Sequence, residues 1–224
     1  MLKLYYYGID KVRAHVHGYN STQQTSIATA LSHRLALIHG PPGTGKTTTT
    51  AGLVSFIKKG LTKRLNSPVL VCGQSNTAVD KLVEDLVAIG LKVVRLGNPT
   101  RVSPQALQVT LFEHTKRHPR YKELQDLIKQ AASLLAKVAK AKQRLDGRAR
   151  GGKRRKAREG IWSDKREVQA AIDDLKDRIR LDIISESGVV CCTCIGAGGP
   201  ELEGFNFPLL VLDEGSQASE PEAL

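Results

Sequence analysis

Short apolar runs alternate along this chain with stretches in which apolar residues recur every three or four positions. The apolar runs lie at residues 35–39, 69–72, 91–96, 188–194 and 209–212. The helical spacing occurs at residues 27–31, 53–57 and 79–86. Uniformly apolar runs of this length are typical of strands that are covered by helices on both faces. The alternation therefore predicts an α/β fold with a parallel β-sheet flanked by helices.

The alternation stops between residues 113 and 182, where two long helices are predicted. Apolar residues at helical spacing occur around Leu124 and again around Ile172. Between them, glycines and like charges at residues 147–156 predict an exposed turn. The chain is expected to comprise an N-terminal tail (1–18), a discontinuous α/β domain (19–112 and 183–224) and an inserted helical hairpin (113–182).

The charge of the chain is concentrated in the predicted hairpin. The formal net charge is +12. Between Lys116 and Arg158 there are 16 Lys or Arg and 3 acidic residues, whereas the rest of the chain has 18 basic and 19 acidic residues. Concentrated positive charge indicates a polyanionic partner. A solvated helical face or a nuclear-import signal remains the alternative.

A glycine-rich run follows the first apolar run and precedes a helical pattern. Its sequence, Gly40-Pro-Pro-Gly-Thr-Gly-Lys46-Thr47, fits G-x-x-x-x-G-K-[ST]. Backbone N–H groups in such a loop surround phosphate oxygens, and the helix N-terminus adds positive potential. Lys46 is expected to reach the β- and γ-phosphates of ATP, and Thr47 to ligate Mg²⁺. The candidate ATP-binding residues here are Gly40, Pro41, Pro42, Gly43, Thr44, Gly45, Lys46, Thr47 and Thr48. The alternative is a glycine-rich turn that binds nothing.

Two acidic residues end the last apolar run. Asp213 and Glu214 follow four apolar residues, and ligands of parallel α/β sheets bind at the carboxyl ends of strands. Asp213 is a candidate for holding Mg²⁺, and Glu214 for activating the attacking water. Together with the upstream phosphate loop, the pair predicts nucleotide hydrolysis. A solvated strand end is the alternative.

Composition narrows the class of protein further. No apolar run approaches the roughly 20 residues that span a bilayer, and the N-terminus lacks the pattern of a secretory signal. We therefore expect no membrane partner and a cytoplasmic or nuclear location. No second pair completes a zinc site with Cys191 and Cys194. Buried free thiols are predicted for Cys72, Cys191, Cys192 and Cys194.

The order of the motifs resembles that of a known family. After the phosphate loop come Ser75-Asn-Thr-Ala-Val-Asp80 and then Asp213-Glu-Gly-Ser-Gln217, while Asn20-Ser-Thr-Gln23 precedes it. The series is similar to the first RecA-like domain of superfamily 1 helicases of the 5′-to-3′ branch, nearest to the nonsense-mediated-decay helicase and its relatives. The resemblance implies an ATP-binding motor domain of an ATP-dependent RNA or DNA helicase.

The resemblance also implies roles for particular residues. Gln23 corresponds to the glutamine that reads adenine, and Gln217 to the one that couples the ATP state to the bound strand. Contacts with single-stranded RNA or DNA are implied for Ser75, Asn76 and Thr193. The family carries a helical insertion near nucleic acid, which makes Lys153, Arg154 and Arg155 further candidate contacts. A surface or capping role is the alternative for the five polar residues outside the hairpin.

The sequence departs from the family pattern in two respects. Gly215 stands where the family has Ala or Cys, and the second RecA-like domain of the family is expected to be missing after Leu224. In the family that domain contributes arginine fingers, worth about 10³–10⁵ in rate in related systems. We therefore expect this chain alone to bind ATP but to hydrolyse it weakly. Two alternatives remain, a different phosphate-loop ATPase such as an AAA+ motor, and a non-motor module that binds ATP and nucleic acid.

Overall fold

The computed structural model describes residues 12–13, 15, 18–60, 67–145 and 152–219, without the side chains of residues 138 and 140–161. The predicted N-terminal tail lies almost wholly outside the described residues. The chain divides into two compact units. The first comprises Met1–His114 and Ile184–Leu224, and the second comprises Thr115–Ile183.

A four-stranded parallel sheet forms the centre of the first unit, as the sequence predicted. The strands are β1 (Val69–Gly73), β2 (Val93–Arg95), β3 (Val189–Thr193) and β4 (Leu210–Asp213). Their order across the sheet is β2-β3-β1-β4. Gly73 at the end of β1 is in register with Thr193 of β3 and with Asp213 of β4. Three strands therefore end at one edge of the sheet, and their carboxyl ends place Thr193 and Asp213 on either side of Gly73.

Helices flank this sheet. Those that begin in the first unit are α1 (Ser21–Ser32), α2 (Lys46–Ser55), α3 (Asn76–Ala88), α4 (Pro104–Leu107), α5 (Leu111–Arg117) and α8 (Cys194–Ala197). A π-helical turn, Phe56–Gly60, extends α2. Asn20 caps α1 in a capping box with Gln23, and Ser75 caps α3 by accepting from the Ala78 N–H. These side chains satisfy N–H groups that the first turn of a helix leaves without partners.

The core lies between the sheet and the apolar faces of these helices. Helix α3 contributes Val79, Leu82, Val83 and Leu86, each with no exposed surface. Residues Ile27 of α1 and Val54 of α2 are also fully buried. The helical spacing in the sequence predicted all of these positions. Aliphatic side chains of this size each gain roughly 1.5–3 kcal/mol from burial.

The first predicted strand, at residues 35–39, is not a strand in the structure. The segment has no regular secondary structure, and Leu35 and Leu37 are 81% and 90% exposed. Among the described residues, β4 has no partner on its outer side, and its Leu210 is 52% exposed. A short apolar run favours an extended backbone without specifying which strand it pairs with. The strand prediction was wrong for this reason.

The second unit contains two long helices, α6 (Tyr121–Leu145) and α7 (Gly152–Glu186). Buried apolar residues include Leu124 in α6 and Ile172 and Ile179 in α7. The turn prediction was wrong for residues 152–156, which belong to α7 and include Lys153, Arg154 and Arg155, and its first part, 147–151, lies outside the described residues. Lys and Arg favour helices, which here outweighs their mutual repulsion. The short helix α5 is also separate from α6.

The four cysteines are all buried and free, as predicted. Sγ of Cys72 lies 3.7 Å from Sγ of Cys192 on the adjacent strand. Burial raises the pKa of Cys191 to about 12, so this thiol is protonated and unreactive at neutral pH. Within the described ranges, no helix has both the length and the apolar character needed to cross a membrane.

Candidate nucleotide site and adjoining sheet edge

The phosphate loop has a backbone that strongly favours glycine at two positions. Gly43 and Gly45 have φ angles of 78° and 82°, in the left-handed region where a Cβ is strained. A Cβ at Gly45 would also come within 2.7 Å of Nε2 of Gln23, and one at Gly40 within 2.8 Å of Oγ1 of Thr44. The loop thus leaves its inner surface to backbone atoms, which suits a phosphate cradle.

Lys46 lies over this loop. Its ammonium group donates to the carbonyl oxygens of Gly40 at 3.0 Å and Pro41 at 3.2 Å. Thr44 also donates its hydroxyl to the Pro41 carbonyl, at 2.8 Å. The α2 N-terminus, capped by Gly45, has no side-chain acceptor for its free N–H groups. Those groups and the Lys46 charge can therefore bind an anion.

Thr47 and Asp213 are joined directly. Oγ1 of Thr47 donates to Oδ2 of Asp213 at 3.1 Å, across 166 residues of sequence. Asp213 is only 6% exposed. Burial raises the pKa of this carboxyl, and the charge of Glu214 raises it further, whereas the Thr47 hydroxyl opposes the shift. A hydroxyl and a carboxylate in contact are hard oxygen ligands of the type that Mg²⁺ prefers, so the donor set fits this ion.

Glu214 has an unusual backbone and a defined side-chain partner. Its φ of 55° is the only positive value at a non-glycine position among the described residues. Such a conformation costs of order 1 kcal/mol or more, and residues that adopt it cluster at active sites and ligand-binding sites. Nε2 of Gln217 donates to Oε2 of Glu214 at 3.1 Å. The structure therefore brings together the predicted water-activating carboxylate and the predicted coupling glutamine.

Gln23 takes part in the α1 capping box. Its N–H donates to Oδ1 of Asn20 at 2.8 Å, and its Oε1 accepts from the Asn20 N–H at 3.1 Å. Its Nε2 lies against Gly45. The carbonyl oxygen keeps a second lone pair, so Gln23 retains both a donor and an acceptor beside the phosphate loop.

The residues predicted to contact single-stranded nucleic acid lie at or just beyond the carboxyl edge of the sheet. Oγ of Ser75 accepts from the Ala78 N–H at 3.1 Å, and Oγ1 of Thr193 accepts from the Gly196 N–H at 3.1 Å. Both hydroxyls cap helices, so the alternative role of a capping residue accounts for the hydrogen bonds that their oxygen atoms accept. Capping does not use the hydroxyl hydrogens, which remain able to donate. The side chains of Lys153, Arg154 and Arg155 lie outside the described residues.

The sequence did not indicate the buried ion pair next to Asn76. Arg95 is 1% exposed and Asp80 is 6% exposed, and Nε of Arg95 donates to Oδ1 of Asp80 at 3.0 Å. An arginine in the apolar run at residues 91–96 and an aspartate beside the buried Val79 were the available signals. Each residue alone is only a polar residue within an apolar pattern, because the sequence does not show which charged side chains contact each other.

A glycine-rich loop that opens a helix, facing an aspartate at the tip of a parallel strand, defines a RecA-like phosphate-loop nucleoside triphosphatase domain. The family model described as AAA domain matches residues 18–224. The chain therefore belongs to the AAA domain family.

Several curated proteins are similar to this chain. "Regulator of nonsense transcripts 1" of Dictyostelium discoideum is 36% identical over 92% of the chain and 14% of its own length. "DNA polymerase alpha-associated DNA helicase A" of Schizosaccharomyces pombe is 35% identical over 91% of the chain and 28% of its own length. "ATP-dependent helicase NAM7" of Saccharomyces cerevisiae is 34% identical over 92% and 18%. These relatives confirm the resemblance to superfamily 1 helicases of the nonsense-decay group.

The chain thus spans between a seventh and about a third of the length of the curated relatives it matches.

Proposed function

We propose that this chain is the ATP-binding motor domain of an ATP-dependent helicase, coupling ATP hydrolysis to movement along single-stranded RNA or DNA. The hydrogen bond between Thr47 and Asp213 is the observation that carries the proposal, because it joins the phosphate loop to the acidic strand end. The helicase names of several relatives favour this reading over a different phosphate-loop ATPase.

The residues divide the chemistry among them. Lys46 and the N–H groups of the phosphate loop bind the triphosphate and orient its γ-phosphate. Thr47 and Asp213 would hold Mg²⁺, which when bound would neutralise charge that develops on the phosphate oxygens. Glu214 orients the attacking water and accepts its proton. Gln23 is placed to bind the adenine edge.

Single-stranded nucleic acid is the proposed partner at the sheet edge next to this site. Ser75, Asn76 and Thr193 offer small polar groups there, which position a strand through its backbone without reading its sequence. Gln217 is the proposed link between the two sites, because it bonds to Glu214. The basic residues Lys153, Arg154 and Arg155 are proposed as further contacts.

A second RecA-like domain is the proposed protein partner. The relatives are several times longer than the matched region, which leaves room in them for such a domain. Its arginine fingers would raise turnover by about 10³–10⁵, so slow turnover is expected without it. The proposed location is cytoplasmic, nuclear or both.

Steady-state ATP turnover with and without single-stranded RNA or DNA tests this function. We expect slow ATP turnover that single-stranded RNA or DNA accelerates. The Lys46→Ala and Glu214→Gln variants should lose this turnover. ATP binding with no turnover under any condition would instead indicate a non-motor binding module. Absence of adenine-nucleotide binding would exclude both functions.

A further inference from the structure

Arg95, at the end of β2, is fully enclosed and makes side-chain bonds in three directions. Its Nε donates to Oδ1 of Asp80 at 3.0 Å. Its Nη1 donates to the carbonyl oxygen of Leu96. Its Nη2 donates to Oδ1 of Asn76 at 2.8 Å. A guanidinium group is planar and rigid, so these bonds fix the positions of their acceptors relative to one another.

The Asp80 end of this network is closed within the protein. Oδ2 of Asp80 accepts from the Ser103 N–H at 2.7 Å, so both carboxylate oxygens are used. Gly97, with φ of 133°, lies where a Cβ would come within 3.1 Å of Nη1 of Arg95. The other groups of the network are thus bonded within the protein, and only Asn76, the first residue of α3, has a group left for an outside partner.

The stability of the fold does not account for such a network. A buried ion pair contributes about as much as an apolar pair of similar volume, because desolvation offsets the attraction between the charges. What an arginine adds over apolar side chains is a fixed geometry for its acceptors. The acceptor in question is the Asn76 amide.

The bond from Arg95 determines which way the Asn76 amide faces. Guanidinium groups only donate, so the oxygen of Asn76 must face Arg95 and its NH₂ group must face away. Within the ranges described, Nδ2 of Asn76 has no acceptor, and no buried side-chain polar atom lacks a partner. The NH₂ group is therefore open to solvent, just beyond the carboxyl edge of the sheet.

We propose that Arg95 is a positioning residue for the binding of single-stranded nucleic acid. It holds the Asn76 amide so that the NH₂ group of Asn76 donates to a phosphate oxygen of the bound nucleic acid. The inference rests on the proposed function. An amide without this anchor would rotate freely, and half of its orientations would present an oxygen that repels phosphate. The neighbouring guanidinium charge also polarises the amide and makes it a better donor.

A double-mutant cycle on the full chain tests the inference. The variants are Asn76→Ala, Arg95→Lys and the two combined, and the probe is a fluorescent single-stranded oligonucleotide at constant low salt. A lysine can pair with Asp80 but lacks the planar fork that reaches Asn76 as well. A hydrogen bond to a charged group is stronger than one between neutral groups, so Asn76→Ala should lower affinity roughly tenfold or more.

The cycle separates positioning from a general structural role. We expect Arg95→Lys to weaken strand binding in the wild-type background and to have no further effect once Asn76 is Ala. A merely structural role would weaken binding by the same factor in both backgrounds, and that result would overturn the inference. ATP affinity, measured in the same samples, should stay unchanged because Arg95 is not part of the nucleotide site.

Asn76→Asp provides a test that does not depend on the folding of an Arg95 variant. The carboxylate keeps an oxygen for Arg95 and suits the α3 N-terminus, so the free energy of unfolding should hold or rise. Strand affinity should nevertheless fall by at least tenfold, since the donor becomes an anion. Wild-type affinity in this variant would refute the proposed phosphate contact.

The outcomes also distinguish this inference from the proposed function. No strand binding by the wild type, or full binding by Asn76→Ala, would remove the proposed strand contact and the inference with it. If Asn76→Ala weakens binding and the effects of Asn76→Ala and Arg95→Lys are additive, the proposed role of Arg95 is refuted, whereas the proposed nucleic-acid contact of Asn76 still holds.

Discussion

The side-chain amide of Gln23 lies against Gly45, so close that a Cβ at this glycine would come within 2.7 Å of Nε2. This contact joins the start of α1 to the last turn of the phosphate loop. The candidate adenine contact and the candidate phosphate contacts are thus packed as one surface, and changes at Gly45 should affect both.

The variant Gly45→Ala should lose ATP binding. The φ of 82° disfavours any Cβ by roughly 1–2 kcal/mol, and the new methyl group would displace Gln23. The measurements are ATP affinity and the free energy of unfolding in urea. Gly90→Ala is the matched control, since Gly90 has a φ of 78° and open space around it. It should lose similar stability and keep ATP affinity; equal affinity in both variants would contradict the assignment of the loop.

The variant Asp213→Asn should be more stable than the wild type at pH 7 without Mg²⁺. Burial raises the pKa of Asp213 in the folded state above its ordinary value of 3.8. A carboxyl with a raised pKa favours the folded state most when it is protonated. Its contribution is lost as pH rises through that raised pKa. The difference in melting temperature should therefore shrink as pH falls towards 4.

Magnesium gives the second half of this test. The Asp213→Asn variant should lose the Mg²⁺-dependent part of its stabilisation by ATP. The surface variant Asp126→Asn, at a side chain with 61% exposure, is the control and should differ little from the wild type in both respects. A variant of Asp213 that is less stable than the wild type at pH 7 would count against a desolvated carboxylate.

The variant Glu214→Asn should be more stable but less active. Asparagine tolerates the left-handed backbone better than glutamate, so the gain should be a few tenths to about 1 kcal/mol. Turnover should fall by about 10²–10⁴, as expected when a general base is removed. Glu214→Gln is the control, with the same loss of turnover and no gain in stability. Full turnover in either variant would exclude Glu214 as the base.

Neutralising Lys153, Arg154 and Arg155 with Gln should reduce the salt dependence of strand affinity. Each phosphate contact adds about 0.7 to the slope of log affinity against log salt for single strands. Three lost contacts should lower that slope by about 2. The triple variant Arg166→Gln, Lys176→Gln and Arg178→Gln changes exposed side chains of the same helix by the same charge. Equal slopes of log affinity against log salt in the two triple variants would mean that nucleic-acid affinity depends on the net charge of the helix and not on contacts of these three residues.

The sequence alone was sufficient for the motifs and for most secondary structure. The phosphate loop, the acidic strand end and helix α3 depend on local patterns, namely glycine spacing, apolar runs and helical periodicity. These patterns act within a few residues, and the backbone follows them directly. Four of the five predicted strands and the buried cysteines followed from the same kind of information.

Only the tertiary structure decided which of these elements meet. The contact between Thr47 and Asp213, the anchoring of Asn76 by Arg95, and the irregular backbone of residues 35–39 all depend on which segments pack together. The left-handed backbone of Glu214 likewise depends on how the chain leaves β4. Local patterns favour a helix or an extended backbone in a segment. The segments that pack against it are set by the sum of many weak long-range contacts, and a short sequence window does not contain those contacts.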